Sequence, residues 1–167
     1  MKKFFLTALL LVAGLVVKAQ GLGAYISDND GNWTNVRNAP KGKIVAKLPA
    51  RDGVMITLNK SVDGWWCLYD NTYWTGDGGG ELTGSTTDYW VHYSVVVVGT
   101  RNYGGQKLTL RKSPSNKAAA VFSFTDERQL HPIDMKGDWV KVRTTDGKYT
   151  GWIEREWLCG NSLTNCC

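Results

Sequence analysis

A thiol and an imidazole are the two groups in this chain that could perform nucleophilic chemistry. Cys67 lies in the strand-like segment WWCLY and His92 in YWVHY, and alternation along both segments places the two side chains on one face. A base beside a thiol is how a cysteine nucleophile is activated. No third residue that would orient the imidazole is evident, and His92 and His131 have no metal-ligand spacing. We therefore expect no enzyme activity, no metal and no cofactor.

Aromatic side chains are the more numerous candidates for binding. The chain contains eight tryptophans, whose rigid rings offer stacking area to sugars or peptides. Alternation predicts that Trp65, Trp90, Trp139 and Trp152 point away from the core. The competing interpretation is that loops or the other half of the chain cover these rings. The residues expected to contact a ligand are Arg37, Trp65, Trp90, Tyr73, Trp74, Arg111, Trp139 and Trp152.

A repeat positions most of these residues. TNVRNAP at 34–40 recurs as LTLRKSP at 108–114, and DGWWCL at 63–68 recurs as GDWVKV at 137–142, both 74 residues later. A fixed offset shared by two separate motifs indicates a duplicated unit. The repeated arginines, Arg37 and Arg111, are suited either to gripping a carboxylate or to tying their own turn together. Retention in both copies favours the structural role.

The chain after its N-terminal segment has an all-β pattern of short strands separated by Gly, Asp and Asn turns. The clearest hairpin spans residues 139–154. A two-residue turn at Asp146-Gly147 would place Val140 opposite Ile153 and Lys141 opposite Trp152. Trp139, opposite Glu154, would then be a diagonal neighbour of Trp152.

An insertion distinguishes the first copy from the second. The first and last tryptophans of the hairpin are 25 residues apart in the first copy and 13 in the second. The extra residues lie in 70–88, which contains five glycines. The segment lacks the setting of a phosphate loop and the ligand spacing of a calcium loop. We expect a mobile hairpin tip with Tyr73 and Trp74 at its base.

The N-terminus is typical of a secretory signal peptide. Two lysines precede an apolar run from Phe4 to Val17, and small residues follow at Val17 and Ala19. We expect residues 1–19 to be removed and the protein to be exported, either to the periplasm or out of the cell. Of the 20 Lys+Arg, three lie in this segment, so the mature net charge falls from +5 to +2. That charge, without a basic cluster, argues against a nucleic-acid partner, and we expect no membrane association after cleavage.

Export also permits disulfides. The four cysteines are Cys67, Cys159, Cys166 and Cys167. A bridge between the adjacent Cys166 and Cys167 would be strained, so we expect one of them to pair with Cys67 and the other with Cys159. One or more free thiols is the alternative.

The order of these motifs resembles the bacterial Src-homology-3-like (SH3b) domain. The second copy fits over about 50 residues, from LTLRKSPSNKAAAVF to GDWVKVRTTDGKYTGWIEREWL. The first copy fits in TNVRNAPKGKIVAKLP, DGWW and YWVHYSVV, and departs through its insertion and through Tyr89 in place of the usual glycine. The resemblance implies two small SH3-like β-barrels in tandem, at residues 20–99 and 100–167. VVVVG at 95–99 is either the last strand of the first copy or the first strand of the second, so the boundary near Gly99–Gly105 is soft.

The resemblance also implies a non-catalytic module that binds a cell-envelope polymer, such as peptidoglycan, or a peptide. The alternative function is that of an inhibitor or immunity-type protein, which would insert residues 70–88 into the cleft of a partner enzyme. A pair of purely architectural domains is a third possibility. The sequence does not fix the oligomeric state.

Overall fold

The computed structural model describes residues 21–50 and 53–163. The expected signal peptide and two of the four cysteines, Cys166 and Cys167, lie outside the described residues. The strands are β1 (Leu22–Ile26), β2 (Trp33–Arg37), β3 (Ile44–Pro49), β4 (Met55–Val62), β5 (Trp65–Leu68), β6 (Thr72–Thr75), β7 (Gly78–Glu81), β8 (Trp90–His92), β9 (Val96–Thr100), β10 (Leu108–Arg111), β11 (Ala120–Phe124), β12 (Gln129–Lys136), β13 (Trp139–Thr144), β14 (Thr150–Glu154) and β15 (Leu158–Cys159). Two 3₁₀ turns, Tyr93–Val95 and Arg155–Trp157, follow β8 and β14.

The expected all-β class is confirmed: the strands form one large antiparallel sheet. Its main path runs β11-β10-β14-β13-β12-β9-β1-β4-β5-β8-β2-β3. Leucine, valine and isoleucine alternate with polar residues along most strands, and the inward-facing set forms a single hydrophobic cluster that spans both halves. No helix long and apolar enough to span a membrane occurs within the described parts of the chain.

The two halves of the sheet repeat the same pairing scheme. In the first half β2 pairs with β3 and β8, and β4 pairs with β5. In the second half β10 pairs with β11 and β14, and β12 pairs with β13. The repeated arginines occupy equal positions, since Arg37 lies opposite Trp90 and Arg111 opposite Trp152.

Strand β9 serves both halves. It pairs with β1 of the first half and with β12 and β15 of the second. The segment VVVVG therefore pairs with strands of both copies. The expected division between residues 99 and 100 falls within this continuous strand. Side-chain hydrogen bonds reinforce the junction: the fully buried Trp66 donates from Nε1 to the carbonyl of Pro132 at 2.8 Å, and Ser61 donates to Asp134.

The register predicted for the β13–β14 hairpin is confirmed. Val140 pairs with Ile153, Lys141 with Trp152, and Trp139 with Glu154. The turn differs from the expected two-residue form, because Gly147 donates its N–H to Thr144 and Thr144 donates to the carbonyl of Tyr149. Residues 145–148 thus form a four-residue loop, in which Gly147 takes a φ of 72°. A loop with an even number of residues centred on the same position leaves the register unchanged.

Residues 70–88 contain a hairpin that joins the sheet. β6 and β7 pair from Thr72↔Glu81 to Thr75↔Gly78, and Trp74 lies opposite Met55 of β4. Residues 82–89 then return to β8, with Leu82 and Tyr89 both buried. The Tyr89 hydroxyl accepts from the N–H of Gly84 at 3.1 Å. The expected hairpin is present.

Two residues that alternation places away from the core are not open to solvent. Cys67 and Trp90 lie outside the main hydrophobic cluster, but they are 3% and 5% exposed. The reason is that other parts of the chain cover this face: the ammonium of Lys60 lies 5.5 Å from the centre of the Trp90 ring. Lys60 is itself 3.7 Å from Asp88 of the insertion. Alternation identifies a face of a strand, and here both faces of β5 and β8 are covered.

The expected disulfide to Cys67 is also wrong. Cys67 is a free, buried thiol, whereas Cys159 is disulfide-bonded. Cys67 is enclosed in the first half of the sheet, and its Sγ lies 3.5 Å from the carbonyl oxygen of Leu68. The alternative of a free thiol is the correct one.

Candidate functional site

Trp139 is presented by a tight hairpin at the end of β12. Lys136 and Trp139 pair across the two-residue turn Gly137-Asp138, and Gly137 adopts a φ of 58°, which glycine allows without steric cost. The next residue, Val140, points into the core and is fully buried. The indole of Trp139 consequently lies on the outer face and is half-buried.

Cavities of about 120 and 660 Å³ both include Trp139 in their walls. The smaller is lined by residues of β10, of the loop before β11 and of the 3₁₀ turn, among them Arg111, Asn116 and Trp157. The larger is lined by Arg101, Asp138, Arg155 and Glu156 together with Leu158. Glu154 contributes to both. We call the two cavities with Trp139 the Trp139 groove.

Charges of both signs surround this groove. Asn116 donates from Nδ2 to Glu154 at 2.7 Å, which fixes the carboxylate beside the ring. Arg101 donates to the carbonyl of Glu156 at 3.3 Å, and Arg155 donates to the carbonyl of Gly21 at 2.5 Å. An aromatic wall between carboxylates and guanidinium groups suits an extended ligand that carries both amino and carboxylate groups.

The two repeated arginines stabilise their own turns. Arg37 donates from Nη1 to the carbonyl of Gly42 at 2.7 Å, and Arg111 donates from Nη1 to Ala118 at 3.0 Å. These bonds agree with the structural role that the repeat favours. Because Arg111 also lines the Trp139 groove, one guanidinium both closes a turn and forms part of the wall.

In the first half, Trp65 occupies the position that corresponds to Trp139. Its ring lies 5.6 Å from the guanidinium carbon of Arg37 and 5.0 Å from the ring of His92. His92 is 4.5 Å from Tyr93, centre to centre, and its Nδ1 lies 2.8 Å from Ser94 Oγ. Burial lowers the pKa of His92, which favours the neutral imidazole. Trp65 therefore packs between its own neighbours.

The structure separates the remaining predicted residues. Trp152 is half-buried opposite Arg111 and outside both cavities of the groove. Tyr73 is half-buried, and Trp74 is 60% exposed on the hairpin. Trp90 is buried, at 5% exposure. The ligand-binding roles of these residues stay predictions.

Sequence reasoning missed Asn116, Glu154 and Trp157 as groove residues. The available signal was the spacing of Trp157 after the GWIE strand, which places it in the 3₁₀ turn facing Trp139. It also missed Trp33, which is 56% exposed but belongs to β2 and lies outside the groove.

The Cys67 thiol and the His92 imidazole each contact other groups. Burial, and then the nearby charge of Asp88, raise the pKa of the Cys67 thiol, which disfavours the thiolate. His92 is directed to Ser94 and to two aromatic rings. In the described ranges no three His, Cys, Asp or Glu residues are grouped so as to hold a metal ion.

Comparison with known families decides the nature of the groove-bearing half. Residues 106–158 match the family model described as "Bacterial SH3 domain". Residues 106–158 are a bacterial SH3 domain. This domain contains most of the Trp139 groove, including Arg111, Asn116 and Glu154. The SH3 resemblance is thus confirmed for the second copy.

Other comparisons add little. No curated protein matches the chain in sequence. Two solved structures from Trichomonas vaginalis are similar at a TM-score of 0.32: NlpC2, at 10% identity over 84% of this chain and 48% of that one, and NlpC1, at 13% identity over 92% and 50%. The chain spans about half the length of either structure, and likeness at this level supports no functional argument.

Proposed function

We propose that the protein is a non-enzymatic, exported binding module that holds a cell-envelope ligand, peptidoglycan or a peptide, in the Trp139 groove. The observation that carries the proposal is the position of Trp139 in a bacterial SH3 domain, with a cavity on either side and both signs of charge around it. The peptide stems of peptidoglycan carry the free amino and carboxylate groups that such a groove can pair.

The first half of the sheet is proposed to be another SH3-like domain, which shares β9 with the bacterial SH3 domain of the second half. Its support is the repeated pairing scheme and the equal placement of Arg37 and Arg111. Trp65, which corresponds to Trp139, packs against Arg37 and His92 in this half. We assign ligand binding chiefly to the Trp139 groove.

Two sequence and structural features support the rest of the proposal. The N-terminal segment has the pattern of a secretory signal, which supports export. The raised pKa of Cys67 and the engagement of His92 by Ser94 support a non-enzymatic role.

Co-sedimentation with purified peptidoglycan tests the function. The mature chain should pellet with the polymer. Trp139→Ala should weaken the affinity for the polymer about tenfold or more, as truncation of a central aromatic contact usually does. Trp33→Ala is the matched control, because it removes an exposed tryptophan outside the groove. Equal retention of Trp139→Ala and wild type, with both variants folded, would refute the assignment.

A further inference from the structure

The hairpin of the insertion leaves a strand edge open. Among the described residues β7 pairs with β6 alone, and Gly78, Gly79 and Gly80 make up three of its four residues. A strand edge normally carries charged side chains, proline or a bulge that prevents pairing with another chain. β7 carries mostly bare backbone.

The register determines which backbone groups face outward. Thr75 and Gly78 close a two-residue turn and form a hydrogen-bonded pair, and Leu82 donates to the carbonyl of Asn71 at 2.7 Å. Because bonded and non-bonded pairs alternate in an antiparallel ladder, Gly79 and Glu81 occupy non-bonded positions. Their N–H and C=O groups point away from β6, toward the open edge.

Two aromatic rings lie across the glycine strand. A Cβ on Gly80 would fall 2.4 Å from the Tyr73 ring, and one on Gly79 would fall 3.5 Å from the Trp74 ring. The absence of a side chain on Gly80 leaves space for the Tyr73 ring, and the Trp74 ring packs over Gly79. Trp74 remains 60% exposed, beside the edge to which a further strand would add.

The charge of the segment indicates the kind of strand that fits. Residues 70–88 contain four carboxylates and no lysine or arginine. Lys60 lies near Asp88, while Glu81 is on β7 itself. A second copy of this chain would bring like charges to the same edge, which is unfavourable.

We propose that the open edge of β7 binds an extended, basic segment of a partner protein by strand addition. The partner backbone would bond to Gly79 and Glu81, with an apolar side chain on Trp74 and a lysine or arginine beside Glu81. Glu81 and Gly79 are two residues apart, so their side-chain directions are on the same face as Trp74. This surface is distinct from the Trp139 groove and does not depend on its function.

A capped peptide of repeated Thr-Val-Thr-Lys units, titrated into the mature chain, is the probe. Its valines and lysines share one face in an extended strand. We expect calorimetric binding, with shifts of the Gly79 and Glu81 amide resonances. The matched Thr-Val-Thr-Glu peptide should bind at least about tenfold more weakly. No binding of the basic peptide at millimolar concentration, or equal binding of both peptides, would overturn the proposal.

Substitutions at Gly79 isolate the backbone contact. Gly79→Pro removes an N–H that β6 does not use, and it should weaken binding at least about tenfold. Gly79→Ala retains the N–H and has room for its methyl group, so it should bind within about twofold of wild type. Equal loss in both variants would refute strand addition.

Charge reversal and self-association complete the test. Glu81→Lys leaves the hairpin bonds in place and should reverse the preference between the two peptides. This test remains informative if Gly79→Pro distorts the hairpin. Trp139→Ala should not affect peptide binding, which separates this surface from the groove. A dimer of the chain that Gly79→Pro dissociates would show that a second copy is the occupant and would contradict the proposal.

Discussion

Removal of the indole N–H of Trp66 should destabilise the whole protein. Trp66 is fully buried in β5 of the first half, and its Nε1 donates to Pro132 of the second half at 2.8 Å. Trp66→Phe deletes this bond, worth about 0.5–1.5 kcal/mol net. The smaller ring also leaves a cavity at a closed site, which costs about 1–2 kcal/mol. Together these losses predict a decrease of about 1.5–3.5 kcal/mol in the free energy of unfolding.

Urea denaturation followed by circular dichroism measures this decrease directly. The melting temperature should fall by about 3–14 °C for a domain pair of this size. Trp152→Phe is the matched control, since Trp152 is half-buried on the outer face of β14. Its cost should stay below about 1 kcal/mol. Equal losses in the two variants, or separate transitions for the two halves of the wild type, would refute the coupling inferred from Trp66 and β9.

Three further outcomes are expected. Arg111→Ala should lower the free energy of unfolding by about 1–2 kcal/mol, because it removes the bond to its turn, and a chemical denaturation curve unchanged from wild type would contradict this. Cys67 should react with a thiol reagent only at the rate of unfolding, since burial raises its pKa and closes access; rapid labelling of the native protein would be the opposite result. Asp146 should titrate near a pKa of about 2 by NMR, held low first by the hydroxyl of Thr144. Since the pKa of Asp146 is lower in the folded than in the unfolded protein, its stabilisation is present above pH 4 and disappears as the pH falls through about 2. A titration midpoint near 4, or a midpoint that does not move in Thr144→Val, would contradict this prediction.

Much of the second half was predictable because its signals are local. The alternation of WVKVR and GWIE and the Asp146-Gly147 turn fix the pairing of β13 with β14, and that register is confirmed. The turn of the hairpin has four residues, but a change in loop form that keeps its centre does not move the strands. The family assignment is confirmed in the same region.

The errors arise where distant parts of the chain meet. Alternation placed Cys67 and Trp90 on an open face, but Lys60 and the segment before β8 cover it. The expected disulfide to Cys67 rested on the number of cysteines, which contains no information about distance. Similarly, the sequence allows β9 to be assigned to either copy. The strand pairing in the structure shows that β9 bonds to both.

The site itself was predictable in part. Trp139 and Arg111 were identified from the repeat, and the structure brings both to the wall of one groove. Trp152 lies in the adjacent strand but outside that wall. Asn116 and Glu154 were not identified, because their hydrogen bond joins residues 38 positions apart and neither belongs to a motif.

Calorimetric titration of the mature chain with soluble, stem-peptide-bearing peptidoglycan fragments tests the proposed role of the Trp139 groove directly. We expect saturable binding by the wild type and by Trp33→Ala. Trp139→Ala should lose about tenfold or more in affinity while its melting temperature is retained. Equal affinity of Trp139→Ala and wild type, or no heat of binding in any variant at millimolar fragment, would contradict the proposal that the Trp139 groove binds the cell envelope.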